Sequence, residues 1–159
     1  MMGLLQALLG HQAWADAMFF HAWQKSGLLE DEDLRTRVEH QVSTLEAFLL
    51  VFKGEFVAFP ERPLPGFQDL KARCVAGHEV LKALGPALDE PSLARTVRIP
   101  WFPEPPCVIA VSEALLQVCL HSQHHRGQCM ARLKALGAAP KNVDYIIWLW
   151  KQKPEARWP

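Results

Sequence analysis

The chain has no excess of charge of either sign: seventeen basic and seventeen acidic residues cancel to a formal net charge of zero. That argues against nucleic acid or an anionic membrane as a partner, because both reward a basic surface. No Lys/Arg cluster interleaved with aromatics is present either. Nowhere do about eighteen apolar residues run together, so no segment is expected to span a membrane. The apolar start, Met1 to Gly10, lacks a basic flank and a small-residue cleavage site and runs straight into His11-Gln12-Ala13-Trp14. It is read as the beginning of a helix, not as a signal peptide. Cysteine is sparse, and Cys74, Cys107, Cys119 and Cys129 show no C-x-x-C spacing. Reduced, buried thiols and a cytoplasmic setting are expected. The sequence also lacks G-x-S-x-G, a phosphate-binding glycine loop and H-E-x-x-H. Those absences remove the common nucleophilic, nucleotide-binding and metalloprotease motifs.

What is present is helical periodicity. A chain of 159 residues, half of them hydrophobic, suits one domain over residues 1–159 with a real core. A first helix is predicted from about Leu4 to Gln24, closing near Ser26-Gly27. A second runs from about Asp31 to Phe52; Asp31, Glu32 and Asp33 suit the positive end of its dipole, and Lys53-Gly54 ends it. Pro60, Pro63 and Pro65 then force an extended connection. A third helix is predicted from Phe67 to Leu84, stopped by Gly85-Pro86. A fourth runs from about Val108 to Leu136, and residues 143–150 read as a short C-terminal helix. Between helices three and four, Pro100, Pro103, Pro105 and Pro106 surround Trp101 and Phe102. Residues 95–99 suit a short strand, and the prolines make a shaped arm, either stapled over the core by the two aromatics or walling a pocket mouth. Together these elements predict an all-α four-helix bundle, up-down in its leading form, with the long proline-rich connections allowing a less regular helix order.

The densest chemistry lies in Leu120-His121-Ser122-Gln123-His124-His125-Arg126-Gly127-Gln128. Four residues apart on a helix, His121 and His125 stack on one face. Both flank the apolar arc of Val111, Leu115, Val118, Cys129, Leu133 and Leu136. Spacing alone leaves a metal-ligand pair and hydrogen-bonded core residues both open. A metal site needs a third ligand, and His40 is the best candidate. It lies roughly 110° from the charged stripe of the second helix, off the solvent face. Three neutral imidazoles suit zinc, nickel, copper or iron and leave a coordination position free. His124 points about 100° away from His125, which suits a supporting, surface or interface role. Arg126 is expected to anchor a carboxylate or the bundle, and Gln128 to hydrogen-bond behind a ligand. Mid-helix Gly127 suggests close helix approach. His11, His21 and His78 are scattered and make poor ligand candidates.

The segment His121 to Gln128, followed by Leu136-Gly137, resembles the H-x-x-x-H-R-G-Q signature of the DinB/YfiT-like metal-dependent family. Trp14-Ala15-Asp16 resembles that family's W-A-N segment, with Asp in place of the commoner Asn, and Asp144-Tyr145 resembles its C-terminal segment. The resemblance implies a four-helix bundle, often a homodimer. It implies a divalent ion, commonly zinc or nickel, held by His40, His121 and His125. Related proteins transfer low-molecular-weight thiols such as bacillithiol, or use mycothiol in an isomerisation. The resemblance therefore implies a metal-dependent thiol S-transferase or hydrolase acting on a small molecule. A thiol or water would take the open position. A non-catalytic metal-binding or stress-associated bundle is the alternative, and a metal-free bundle with core histidines a third. Trp14, Trp101 and Tyr145 are expected to wall the pocket.

Overall fold

A computed structural model describes residues 2–56 and 58–159. Four long helices carry the fold: α1 (Met2–Ser26), α2 (Glu32–Lys53), α3 (Phe67–Leu84) and, after an insertion, α5 (Val111–Ala135). The insertion holds a 3-10 turn (Gly85–Ala87), the short α4 (Glu90–Ala94) and two strands, β1 (Thr96–Ile99) and β2 (Cys107–Ala110). A last short helix, α6, spans Tyr145–Trp150. The all-α bundle expected from periodicity is what forms, and the two-stranded ribbon is its only sheet among the described residues.

Local chemistry explains the helix limits. Asp31 caps α2 by accepting a hydrogen bond from the Leu34 N–H at 2.9 Å, satisfying a donor that the first turn leaves free. Gly54 ends the same helix with φ of 75°, a left-handed conformation that costs glycine little. Helix α5 starts three residues later than expected. Residues 107–110 pair antiparallel with 96–99, Val97 opposite Ile109 and Ile99 opposite Cys107, and Pro105-Pro106 delivers them extended. The Glu113 carboxylate then accepts from the Ala110 N–H at 2.8 Å and caps the new helix.

The helix order differs from the up-down expectation. Helix α1 runs against α3, since Phe20 and Trp23 meet Phe67 near the start of α3 while Asp16 meets His78 further along it. Helix α5 runs against α2, since Asp31 meets Arg132 and His40 meets His121. Helices α2 and α3 run the same way, with Arg73 on Glu39 and Glu46 and Gly77 against Leu45. The order is up-down-down-up. The proline-rich connection allows it: at roughly 3.3 Å per residue, residues 54–66 reach about 40 Å. The 22 residues of α2 span about 33 Å.

Two apolar clusters fill the bundle. One gathers Leu9, Leu45, Leu49, Leu81, Val111 and Leu115, with Leu93, Val97 and Ile99 from the insertion. The other gathers Phe19, Phe20, Trp23, Leu34, Leu70 and Leu133. A third, smaller cluster seats α6 on α1 through Trp14 and Trp148. The proline-rich arm staples with one of its aromatics only. Trp101 packs edge-on to Phe48 and Phe56 at 5.3 and 5.2 Å, while Phe102 is exposed.

Candidate metal centre

Among the described residues, two groups of ligand-type side chains converge in the bundle. The first is His40 of α2 with His121 and His125 of α5; their ligand atoms all lie within 4.8 Å of one another. Nε2 of His40 and Nε2 of His121 are 3.2 Å apart. The ring of His125 lies 4.6 Å from that of His40 and 4.4 Å from that of His121. The i, i+4 spacing on α5 stacks two of the rings, and the antiparallel run of α2 brings the third opposite. His40 is exposed and the other two are half-buried, so the cluster sits at the outer edge of the α2/α5 seam.

The electrostatics keep lone pairs available. Burial, then repulsion from His125, His40 and His124, pulls the pKa of His121 down to about 4. Burial also lowers that of His125. Both rings are therefore neutral at physiological pH, the form that ligates metal. Gln128 fixes the tautomer of His125: its Oε1 accepts from Nδ1–H at 2.9 Å, leaving Nε2 with the lone pair. The Gln128 amide nitrogen in turn donates to His124 Nε2 at 3.0 Å. Thus His124 supports Gln128 from the far side, in keeping with its wheel angle.

These residues fit a divalent ion. Two nitrogens bound to one tetrahedral ion at about 2.05 Å stand roughly 3.3 Å apart, close to the observed 3.2 Å. Three uncharged nitrogen ligands suit zinc and its late first-row neighbours, and three protein ligands leave a position open. A metal in this site would be held by His40, His121 and His125.

The second group is Asp16, Cys74 and His78, all buried and again within 4.8 Å. Its chemistry is different. Asp16 Oδ1 accepts from Arg126 Nη1 at 2.7 Å and from Gln41 Nε2 at 3.0 Å. Its Oδ2 receives His78 Nε2 at 2.8 Å. Burial works against the charge on Asp16, but the Arg126 guanidinium and the hydrogen bonds from His78 and Arg126 outweigh it and hold the pKa below the usual carboxylate value. Burial pushes the Cys74 thiol well up, so it stays protonated. A saturated carboxylate, a protonated thiol and an adjacent guanidinium do not fit a cation. This group is a polar hub to which α1, α2, α3 and α5 each contribute a residue.

Of the two anchors expected for Arg126, a carboxylate or the bundle, the structure shows the carboxylate; Gln128, spaced to share the face of His121, bonds His125 instead. Sequence reasoning missed the hub. Asp16 was visible only as a departure from Asn, and nothing local in the sequence pairs Gln41 or His78 with it. Gly127 is not explained by close helix approach: a methyl group placed there meets nothing within 4 Å. The tight contact is at Gly77, where a Cβ would stand 2.6 Å from Leu45 Cδ2. The expected aromatic walls are also corrected. Trp14 is buried against α6, Trp101 lies on Phe48, and Tyr145 packs on Trp148 at 5.7 Å. None of them lines either of two cavities in the described residues. One of these, about 390 Å³, lies between α1, α3 and residues 153–158. The other, about 620 Å³, lies between α1, α5 and residues 140–144. Neither includes a residue of the histidine cluster, which faces a different side of the bundle.

An all-α bundle with an open-sided cluster of three histidines across two antiparallel helices is thus the class that fold and site define. Residues 9–157 match the DinB family model, and the chain belongs to the DinB family. No curated protein and no solved structure matches the chain.

Proposed function

We propose that the chain binds one divalent transition-metal ion, zinc or nickel, through His40, His121 and His125, and serves as a metal-dependent thiol S-transferase or hydrolase for a small-molecule substrate. The observation that carries this reading is the 3.2 Å approach of His40 Nε2 to His121 Nε2, with the His125 ring packed against both. A dication held by uncharged ligands keeps its full charge and, when bound, lowers the pKa of a thiol or water beside it. The chain's own residues supply the rest. The exposure of His40 leaves the outer side of the cluster open to a low-molecular-weight thiol such as bacillithiol or mycothiol. Gln128 orients His125, and the burial of His121 keeps its ring uncharged, with one nitrogen lone pair free. Exposed Trp150, Ile146 and Leu120 support a homodimer, and a reduced, cytoplasmic setting suits four free cysteines.

A second reading, a non-catalytic metal-binding bundle, is favoured by one observation: two sizeable cavities in the described residues lie away from the histidines. Incubating metal-loaded protein with a thiol and a panel of electrophiles decides between the two. Thiol adducts that require His121 support the transferase. Stoichiometric metal with no turnover of any thiol or ester supports the binding protein.

A further inference from the structure

We propose that the buried carboxylate of Asp16 positions the three-histidine cluster by fixing the rotation of the two helices that carry it. The proposal deepens the metal-binding reading and rests on it. Each ligand-bearing helix places a hub residue immediately after a ligand: Gln41 follows His40, and Arg126 follows His125. One residue along a helix turns the side chain by about 100°. Because α2 and α5 run antiparallel, that step turns both chains from the outer seam inward to the same point. There, Gln41 Nε2 and Arg126 Nη1 share one oxygen of Asp16, at 3.0 and 2.7 Å. With both inner residues tied to a single atom, the two outer imidazoles must face each other.

The anchor is itself held. His78 of α3 takes the other oxygen of Asp16 at 2.8 Å, and Asp16 and Arg126 are 1 % and 2 % exposed. Buried ion pairs contribute little net stability beside apolar packing, and fixing register is their best-attested use. Gln41 points the same way. It is 4 % exposed, and its Oε1 has no hydrogen-bond partner among the described residues, which is costly in a core. An apolar side chain would avoid that cost. What Gln41 alone supplies is the N–H directed at Asp16.

The test compares the wild-type chain with Gln41→Met, Asp16→Asn and a packing control, Leu81→Ala. Cobalt(II) is titrated against a chelator while its visible spectrum is followed, with thermal melting in parallel. Gln41→Met keeps the Asp16–Arg126 pair and is expected to fold. Its cobalt affinity is expected to fall at least tenfold and its spectrum to change. Leu81→Ala is expected to lower the melting temperature and leave affinity within twofold. Histidine 15N shifts of the metal-free proteins report the His40–His121 contact independently of metal. They are expected to show it lost in Gln41→Met and Asp16→Asn and kept in Leu81→Ala. Wild-type protein that binds no cobalt overturns the metal-binding reading, and the 15N shifts then decide the positioning role alone. Unchanged cobalt affinity and an unchanged His40–His121 contact in both hub variants overturn the proposal.

Discussion

The outer cluster of His40, His121 and His125 and the inner cluster of Asp16, Cys74 and His78 satisfy the same distance criterion, three ligand-type atoms within 4.8 Å of one another. They differ in what surrounds those atoms. In the outer cluster, burial lowers the pKa of His121 and His125, one side faces solvent, and no cation among the described residues is bonded to it. In the inner cluster, every oxygen of the carboxylate is already engaged by donors, one of them a guanidinium. Proximity of ligand-type atoms therefore does not make a metal site. The charge already present around them decides whether a cation is welcome.

The largest expected effect separates the clusters by stability. Asp16→Ala strands the buried Arg126 charge and is expected to cost about 3–5 kcal/mol, measured by urea unfolding of metal-free protein. His121→Ala, at the half-buried edge, is expected to cost no more than about 1 kcal/mol. Equal losses would erase the distinction between a structural hub and a functional edge. Next in size is Gln128→Ala. Losing the partner that orients His125 is expected to weaken metal binding by about tenfold with an unchanged melting temperature. A variant that binds as tightly as wild type would remove Gln128 from the site.

The two clusters also separate in pH. In metal-free protein the unfolded-state pKa of His121 is about 6.5, and the folded value is about 4. Between these values the unfolded chain binds more protons, so stability is full above about pH 6.5 and falls as pH drops toward 4. His121→Gln is expected to flatten that limb. Asp16 also has a lowered folded pKa. Its contribution is present above the unfolded carboxylate value of about 3.9 and is lost only below it, a limb that Asp16→Asn should remove. Urea midpoints across pH 3–7 resolve the two windows. A single limb unaffected by either variant would contradict the assignment.

Much of this was legible in the sequence because it is periodic. The i, i+4 pair on a long helix, the acidic start of α2 at Asp31 and the breakers at Gly54 and Gly85-Pro86 act through neighbours in the chain. The placement of His40 off the solvent face was a misreading: its ring is exposed at the outer edge of the α2/α5 seam. The other misreadings were of long-range pairing. Residues 107–110 carry no helix-breaking residue of their own; they are a strand because 96–99 lie beside them. The up-down-down-up order depends on the reach of residues 54–66, not on any helix. Asp16, Gln41, His78 and Arg126 come from four separate helices, and no spacing along one of them announces the meeting. Gly127 was given a packing reason that belongs to Gly77.

The central claim is that the outer histidines, and not the inner group, hold a divalent ion. Chelator-stripped protein without a histidine tag, titrated with zinc in a calorimeter, tests it most directly. The expected result is one ion per wild-type chain. Binding should be at least about 100-fold weaker in each of His40→Ala, His121→Ala and His125→Ala, and unchanged in Cys74→Ala. Tight binding that survives all three histidine substitutions, or a wild-type chain that takes up no zinc and no nickel, would contradict the account.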